Sequence, residues 1–317
     1  MTVWLLAGLG LVILLLAGDA LVKGAVNLSL RLGVPALIVG LTIVAFGTSA
    51  PELLISVSAV LENVPGLALG NVVGSNTANI LLVLGVPALL STMSTGACEM
   101  RKSYLFMLAA TGLFMVLAFT GIFTWWSGLI LLAALALVLA DAFRDARAHR
   151  SATLDVAEAL EDVEGADPDM PWWKIGVFLA LGLAGLPLGA DILVDNASAL
   201  ARIYGVPDTV IGLTLVALGT SLPELATTVM AALRQQADVA LGNVIGSNMF
   251  NLLAIIGIAA LVGDIPVDAE ILRFDIWVML GASLLLLPVV FLGRDLTRIW
   301  GVGLTAGYVA YVVLLLS

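Results

Sequence analysis

The sequence predicts an all-α polytopic membrane protein: ten transmembrane helices in two five-helix repeats of inverted topology. Three observations lead there. Of 317 residues, 61% are hydrophobic and 11% charged, and the mean hydropathy is +1.13. Soluble domains carry about 25% charged residues and must present a surface that tolerates water. The apolar residues gather into runs of the length, about 20, that crosses a hydrocarbon core of about 30 Å. The chain also repeats part of itself. These numbers exclude a soluble enzyme and a disordered chain. A net charge of −10 repels phosphate backbones, so no nucleic-acid partner is expected. The lone Cys98 allows no internal disulfide and no cysteine metal cluster.

In chain order the expected spans are 2–22, 35–60, 66–92, 103–120, 124–141, 172–194, 207–233, 238–262, 275–292 and 299–316. The first lacks a basic leader and a small-residue cleavage site, so it reads as a retained span. Strand-like alternation is absent, which argues against a β-barrel. Segment 141–171 is polar. Asp141–Met170 holds nine acids, three arginines and His149, the only histidine, and reads as a cytoplasmic linker with a short helix over 151–162. Its acids do not follow the EF-hand pattern. With the N-terminus outside, 11 of the 13 basic residues fall on the inside and only Arg202 and Arg273 outside. The positive-inside rule then places both termini outside and the linker in the cytoplasm.

Residues 40–85 and 212–257 align at a constant offset of 172 without a gap, with 25 of 46 positions identical. The match extends weakly upstream through Asp19/Asp191 and Gly33-Val34-Pro35/Gly205-Val206-Pro207. Residues 1–140 form the first repeat, 141–171 the linker and 172–317 the second repeat. Five spans per copy is odd, so the second copy enters the membrane in the opposite sense, as in many secondary transporters.

The repeated residues are polar where lipid packing would not request it. In Gly47-Thr48-Ser49-Ala50-Pro51-Glu52, Pro51 cannot donate to the Gly47 carbonyl and is expected to distort the turn Ala45–Thr48. Pro223 does the same to Gly219. Broken helices survive at membrane depth only where protein or a water-filled cavity satisfies them, and a freed carbonyl suits a hard cation. Glu52 and Glu224 fall near mid-bilayer, where a charge costs at least ~2.5–3.5 kcal/mol. No lysine or arginine lies within the four repeated spans to pair with them, which leaves protonation, a bound cation or a water-filled cavity. Helical spacing puts Ala45, Thr48, Ser49, Glu52 and Ser56 on one face, with Ala217, Thr220, Ser221, Glu224 and Thr228 as counterparts. On the following spans Asn71, Ser75 and Asn79 recur every four residues, as do Asn243, Ser247 and Asn251. Such an all-oxygen set suits Na⁺, Ca²⁺, Mg²⁺ or Mn²⁺. Gly66, Gly70, Gly74, Gly242 and Gly246 let the helices approach. Two carboxylates balance one Ca²⁺ or two monovalent cations, and a site that holds either while opening to one side at a time is an exchanger. A cation channel lacks support, because two unlike helices make no symmetric pore ring. Gly47–Pro51 is one residue from a nucleophile elbow, but the bilayer holds no histidine to serve it.

GTSAPE with GNVVGSNTAN, and GTSLPE with GNVIGSNMFN, resemble the two α-repeats of the cation/calcium antiporter superfamily, in its prokaryotic-type sodium/calcium exchanger branch. The resemblance implies a ten-helix, cofactor-free Na⁺/Ca²⁺ antiporter of the prokaryotic inner membrane that works by alternating access. It implies Ca²⁺ on Glu52, Glu224 and the carbonyls of Thr48 and Thr220. Na⁺ would use the same glutamates with Ala45, Ser49, Ser75, Ala217, Ser221 and Ser247, and Asn79 and Asn251 would line the middle. The first and sixth spans would slide against the ligand bundle, and exchange would be electrogenic. Some relatives, including potassium-dependent exchangers, carry aspartate where Asn251 stands, so K⁺ co-transport is not expected. Proton/calcium exchange on the same scaffold is the nearest alternative. Asp19 and Asp191 are read as caps or hydrogen-bond partners near span ends.

Overall fold

The computed structural model describes residues 2–94, 100–152, 167, 169–205 and 217–316. Its helices are α1 (Thr2–Leu32), α2 (Ala36–Thr48), α3 (Ala50–Leu61), α4 (Pro65–Leu90), α5 (Arg101–Ala118), α6 (Trp125–Ala152), α7 (Trp172–Ile203), α8 (Leu222–Leu233), α9 (Ala237–Val262), α10 (Ile271–Leu292) and α11 (Arg298–Leu316). Among the described residues eight helices are long and apolar enough to cross a membrane, and the α2–α3 pair, bent by 44°, makes a ninth. Of the expected span 207–233, residues 207–216 lie outside the described set. One turn at Ala217–Gly219 and the short α8 represent the rest. Leu5, Leu16, Leu137 and Ile299 stand exposed on the outer faces, which water would penalise and lipid accepts. The chain is an integral membrane protein.

Three expected boundaries are corrected. The first and sixth spans, expected at 2–22 and 172–194, continue to Leu32 and Ile203. Asp19 is therefore mid-helix rather than near an end. It survives there because Arg234, beyond α8, donates to it at 2.5 Å. The fifth expected span, α6, runs past residue 141 into the polar segment, where Lys102 pairs with Asp141 at 2.6 Å and Asp145 at 2.8 Å, one turn apart on α6. Most of the expected 151–162 helix, Cys98, Val206 and Pro207 lie outside the described residues, as does the side chain of His149. The end of the linker is held by α1: Asn27 Oδ1 accepts from the Asp167 amide, and Arg31 donates to the Met170 carbonyl.

A large apolar core runs through α4, α5, α9 and α10, and a smaller one is built mainly on α1 and α7. The α1–α7 contact depends on glycine. A methyl on Gly10 would fall 2.6 Å from the Leu193 amide nitrogen, and one on Gly182 would fall 2.5 Å from Leu21 Cβ. Those two contacts exchange under the 172-residue offset, and with Leu14 against Gly189 they run antiparallel. Similar reciprocity marks the loops. Ile122–Phe123 (β1) pairs antiparallel with Ile265–Pro266 (β2), while Met93 bridges Leu296. Ile265 is the counterpart of Met93, and Leu296 lies one position from the counterpart of Phe123. These two-residue ribbons are small additions to an all-α expectation. Left-handed backbone also recurs at the offset: Gly33 and Gly205, Asn63 and Gln235, Gly121 and Gly293. The first and third pairs use the residue for which that conformation carries no steric cost.

Candidate cation site

The broken helices place the acids. Proline was expected to distort Ala45–Thr48, but that turn stays helical and the Ser49 amide still donates to the Ala45 carbonyl at 3.0 Å. The break falls at Ser49 itself (φ −84°, ψ 5°) and, in the second copy, at Ser221 (φ −87°, ψ 2°). Proline is favoured in a first turn, where its missing N–H costs nothing, so Pro51 and Pro223 start new helices rather than bend old ones. Glu52 and Glu224 then sit in those first turns, at the positive end of the helix dipole.

The sequence Ser-x-x-Glu at each break has the form of a capping box, in which serine would bond within its own helix. Neither serine does so. Ser49 instead donates to Glu224 Oε1 of the other copy at 3.0 Å, and Ser247 on α9 donates to the same oxygen at 3.5 Å. The first copy's hydroxyl is thus spent on the second copy's acid. Both glutamates are 1% exposed, and their charges repel one another. No lysine or arginine is paired with either among the described residues.

The stripes on α4 and α9 divide into struts and free oxygens. Asn71 donates to Ser56 Oγ (3.0 Å) and to the Glu52 carbonyl (3.3 Å); Asn243 donates to Thr228 Oγ1 (3.2 Å) and accepts from Thr48 Oγ1 (3.2 Å). These two asparagines tie each broken helix to its neighbours. Asn79 and Asn251 stand where α4 and α9 loosen into π-helical turns, Asn79–Val83 and Phe250–Ile255, features frequent at functional sites. Glu52 Oε2, Glu224 Oε2, Asn79 Oδ1, Asn251 Oδ1 and Ser221 Oγ are buried without a hydrogen-bond partner. Leaving such an atom unmade costs about 1–3 kcal/mol, more for charged groups. Buried oxygen acceptors with no donor to accept from fit a cation. Among the described residues no three His, Cys, Asp or Glu side chains converge, so the acidic groups here are two carboxylates and the other unpartnered oxygens are neutral.

Of the other expected ligands, Ala45 and Ser75 are buried, and Thr220 is half-buried with a partner. The side chain of Ala217 is outside the described set. The close helix approach expected from glycine holds on α9. A methyl on Gly242 would lie 2.6 Å from the Leu37 carbonyl oxygen, and one on Gly246 would lie 2.4 Å from that of Leu41. A methyl on Gly70 or Gly74 would meet no neighbouring described atom within 4 Å, while one on Gly66 would face Asp268. Sequence reasoning passed over Asn76 and Asn248, which join the two copies. Asn79 Nδ2 donates to Asn248 Oδ1 and Asn251 Nδ2 to Asn76 Oδ1, both at 3.1 Å. Their identity at the 172 offset was the available signal.

The family model described as sodium/calcium exchanger protein matches residues 2–143 and 174–317. The chain is 36% identical over 337 aligned positions to the sodium/calcium exchanger MaX1 of Methanosarcina acetivorans, across 97% of this chain and 96% of that one. It is 33% identical over 315 positions to the inner membrane protein YrbG of Escherichia coli K12, across 96% and 94%. Among solved structures it is similar to the sodium-calcium exchanger NCX_Mj soaked with 2.5 mM Na⁺ and 1 mM Sr²⁺, with a TM-score of 0.82 at 30% identity, covering 99% and 98%.

Proposed function

The chain belongs to the sodium/calcium exchanger family, and from that premise we propose that it is a secondary antiporter exchanging Na⁺ for Ca²⁺ by alternating access. The observation that carries the reading is the pair of buried glutamates, each opening a proline-started helix and each keeping one carboxylate oxygen without a partner. Ca²⁺ lies between Glu52 and Glu224 with the carbonyls of Thr48 and Thr220. Na⁺ takes the same carboxylates with Ala45, Ser49, Ser75, Ala217, Ser221 and Ser247. Asn79 and Asn251 contribute amide oxygens at the centre. An emptied site leaves two repelling carboxylates in a low-dielectric interior, so one cation's departure favours another's arrival, and this couples the two fluxes.

The wider architecture in this reading is ten spans in two inverted five-helix repeats, 1–140 and 172–317, joined by the 141–171 linker. Support comes from the antiparallel α1–α7 contact and from the reciprocal loop bridges and asparagine bonds. The protein sits in the inner membrane with both termini outside and the linker in the cytoplasm. The α1–α7 pair, with its own small core, shifts against the bundle to change access. Exchange is electrogenic, and it is independent of K⁺ because Asn251 supplies no third carboxylate.

The test is ⁴⁵Ca²⁺ uptake into proteoliposomes under imposed Na⁺, H⁺ or K⁺ gradients. Uptake driven by an outward Na⁺ gradient, sensitive to membrane potential and indifferent to K⁺, is expected. Uptake that follows a pH gradient and ignores Na⁺ would replace Na⁺ with H⁺ as the counter-ion. No gradient-driven uptake of any divalent cation would overturn the reading.

A further inference from the structure

The geometry points to Asn76 and Asn248 as positioning residues that, braced by Met279 and Met107, hold the amides of Asn79 and Asn251 with oxygen toward the cation. This inference rests on the cation-exchange reading and adds the device that makes two neutral residues usable as ligands.

An asparagine amide is nearly symmetric in shape but opposite in chemistry at its two ends: one accepts, the other donates. An NH₂ turned toward a cation repels it. What lies behind the amide decides which end faces forward. Behind Asn79 is Asn248 Oδ1, and behind Asn251 is Asn76 Oδ1, each taking the NH₂ at 3.1 Å. The forward oxygens, Asn79 Oδ1 and Asn251 Oδ1, are the ones without partners. The bracing asparagines could themselves flip, and a flip would pass forward along the chain. Their backs prevent it. Asn248 Nδ2 donates to Met107 Sδ at 3.7 Å, and Asn76 Nδ2 donates to Met279 Sδ at 3.8 Å and to the Asn248 carbonyl at 3.4 Å. A thioether can only accept. Each relay therefore reads in one direction from sulfur through two amides to an outward-looking oxygen.

Two relays of the same design, at counterpart positions, arise from opposite copies. Met107 and Met279 are separated by the same 172 residues as Asn76 and Asn248, and as Asn79 and Asn251. All four asparagines are buried to 1% exposure and both methionines to 1% or less, so water cannot substitute for the missing partner of a flipped amide. Crossed packing aims the relays. The Glu224 helix α8 lies against the turn Asn79–Val83, and the Glu52 helix α3 lies against Phe250–Ile255.

A mutant cycle tests this. Asn248→Leu keeps the branched outline but removes the acceptor behind Asn79, so that amide can turn its NH₂ forward. Loss of such an orienting partner typically weakens metal affinity by about 10–100-fold. We expect equilibrium ⁴⁵Ca²⁺ binding to purified protein to weaken at least about tenfold, with thermal stability in the absence of Ca²⁺ retained. Asn79→Asp presents oxygen whichever way it turns. It should therefore restore binding far more in the Asn248→Leu background than it raises binding alone. Equal effects of Asn79→Asp in both backgrounds would mean no coupling and would overturn the proposal. Should Asn248→Leu fail to fold, the same cycle is run on Asn76 and Asn251. The volume-conserving pair Met107→Leu and Met279→Leu is expected to weaken binding a few-fold, and unchanged Ca²⁺ affinity in that double variant would remove the sulfur end-stops from the relay. Absence of Ca²⁺ binding by the unmodified protein would instead refute the exchange reading, so the two failures are separable.

Discussion

Where both are described, the two copies of the repeat share much of their local conformation yet are held differently. Helices Ala50–Leu61 and Leu222–Leu233 begin and end at the same offset, and Ser49 and Ser221 break the chain with nearly the same dihedrals. Their contacts diverge. Ser49 reaches across to Glu224, whereas Ser221 Oγ has no partner. Asp19 on α1 is paired with Arg234 after α8, but the counterpart positions are two acids, Asp191 and Glu62, both exposed. Duplicated sequence thus reproduces the helices and the asparagine bonds between copies, while the Ser49–Glu224 bond and the Asp19–Arg234 pair are made on one side. Such one-sidedness is what a two-state element requires. In the proposed alternating-access reading a symmetric arrangement would have no side to open, and conversion to the other state would exchange the roles of the copies.

The sharpest test of the shared part is removal of either charge. Glu52→Gln and Glu224→Gln keep shape and hydrogen-bonding capacity but leave one carboxylate to balance Ca²⁺. Each is expected to reduce Na⁺-driven ⁴⁵Ca²⁺ uptake to background with normal expression and elution. Retained exchange in either variant would sink the two-carboxylate site.

Next in size is the serine contrast. A hydrogen bond to a charged group is worth about 1.5–3 kcal/mol, or tenfold and more. Ser49→Ala should therefore raise the half-saturating Ca²⁺ concentration at least about tenfold. Ser221→Ala, which breaks no bond in this state, should leave it within about threefold while raising the Na⁺ requirement. Equal effects of the two on Ca²⁺ would erase the asymmetry.

Asn251→Asp adds a third carboxylate at the centre and should alter cation selectivity or the pH response of uptake; profiles matching the unmodified protein would contradict the part assigned to the neutral amide. Smallest is Arg234→Gln. The Asp19–Arg234 pair has side chains 30% and 20% exposed, and partly exposed pairs contribute about 0.2–1 kcal/mol. A change of a few-fold in exchange rate, together with a flatter dependence on ionic strength, is expected. An unchanged salt dependence would show that this pair does not bias the two states.

Much of this was readable without coordinates, for a definable reason. Hydropathy runs, the 172-residue repeat, the prolines and the intramembrane glutamates are properties of adjacent residues and of the solvent around them. They marked an integral membrane protein, most of its spans and the acids at its centre. The expected end of α1 near residue 22 failed because Asp19 and Lys23 look like a boundary until Arg234, 215 positions away, supplies a partner. The Ser-x-x-Glu sequences make no capping boxes, and Ser49 bonds instead to an acceptor 175 residues on. Asn71 and Asn79 look alike in a stripe, yet one is a strut and the other keeps a free oxygen. Local chemistry thus determined which residues are costly in lipid and where most of the apolar helices run. Which donor meets which acceptor was decided only by tertiary packing, because an amide or hydroxyl takes its role from the atom that lies opposite it.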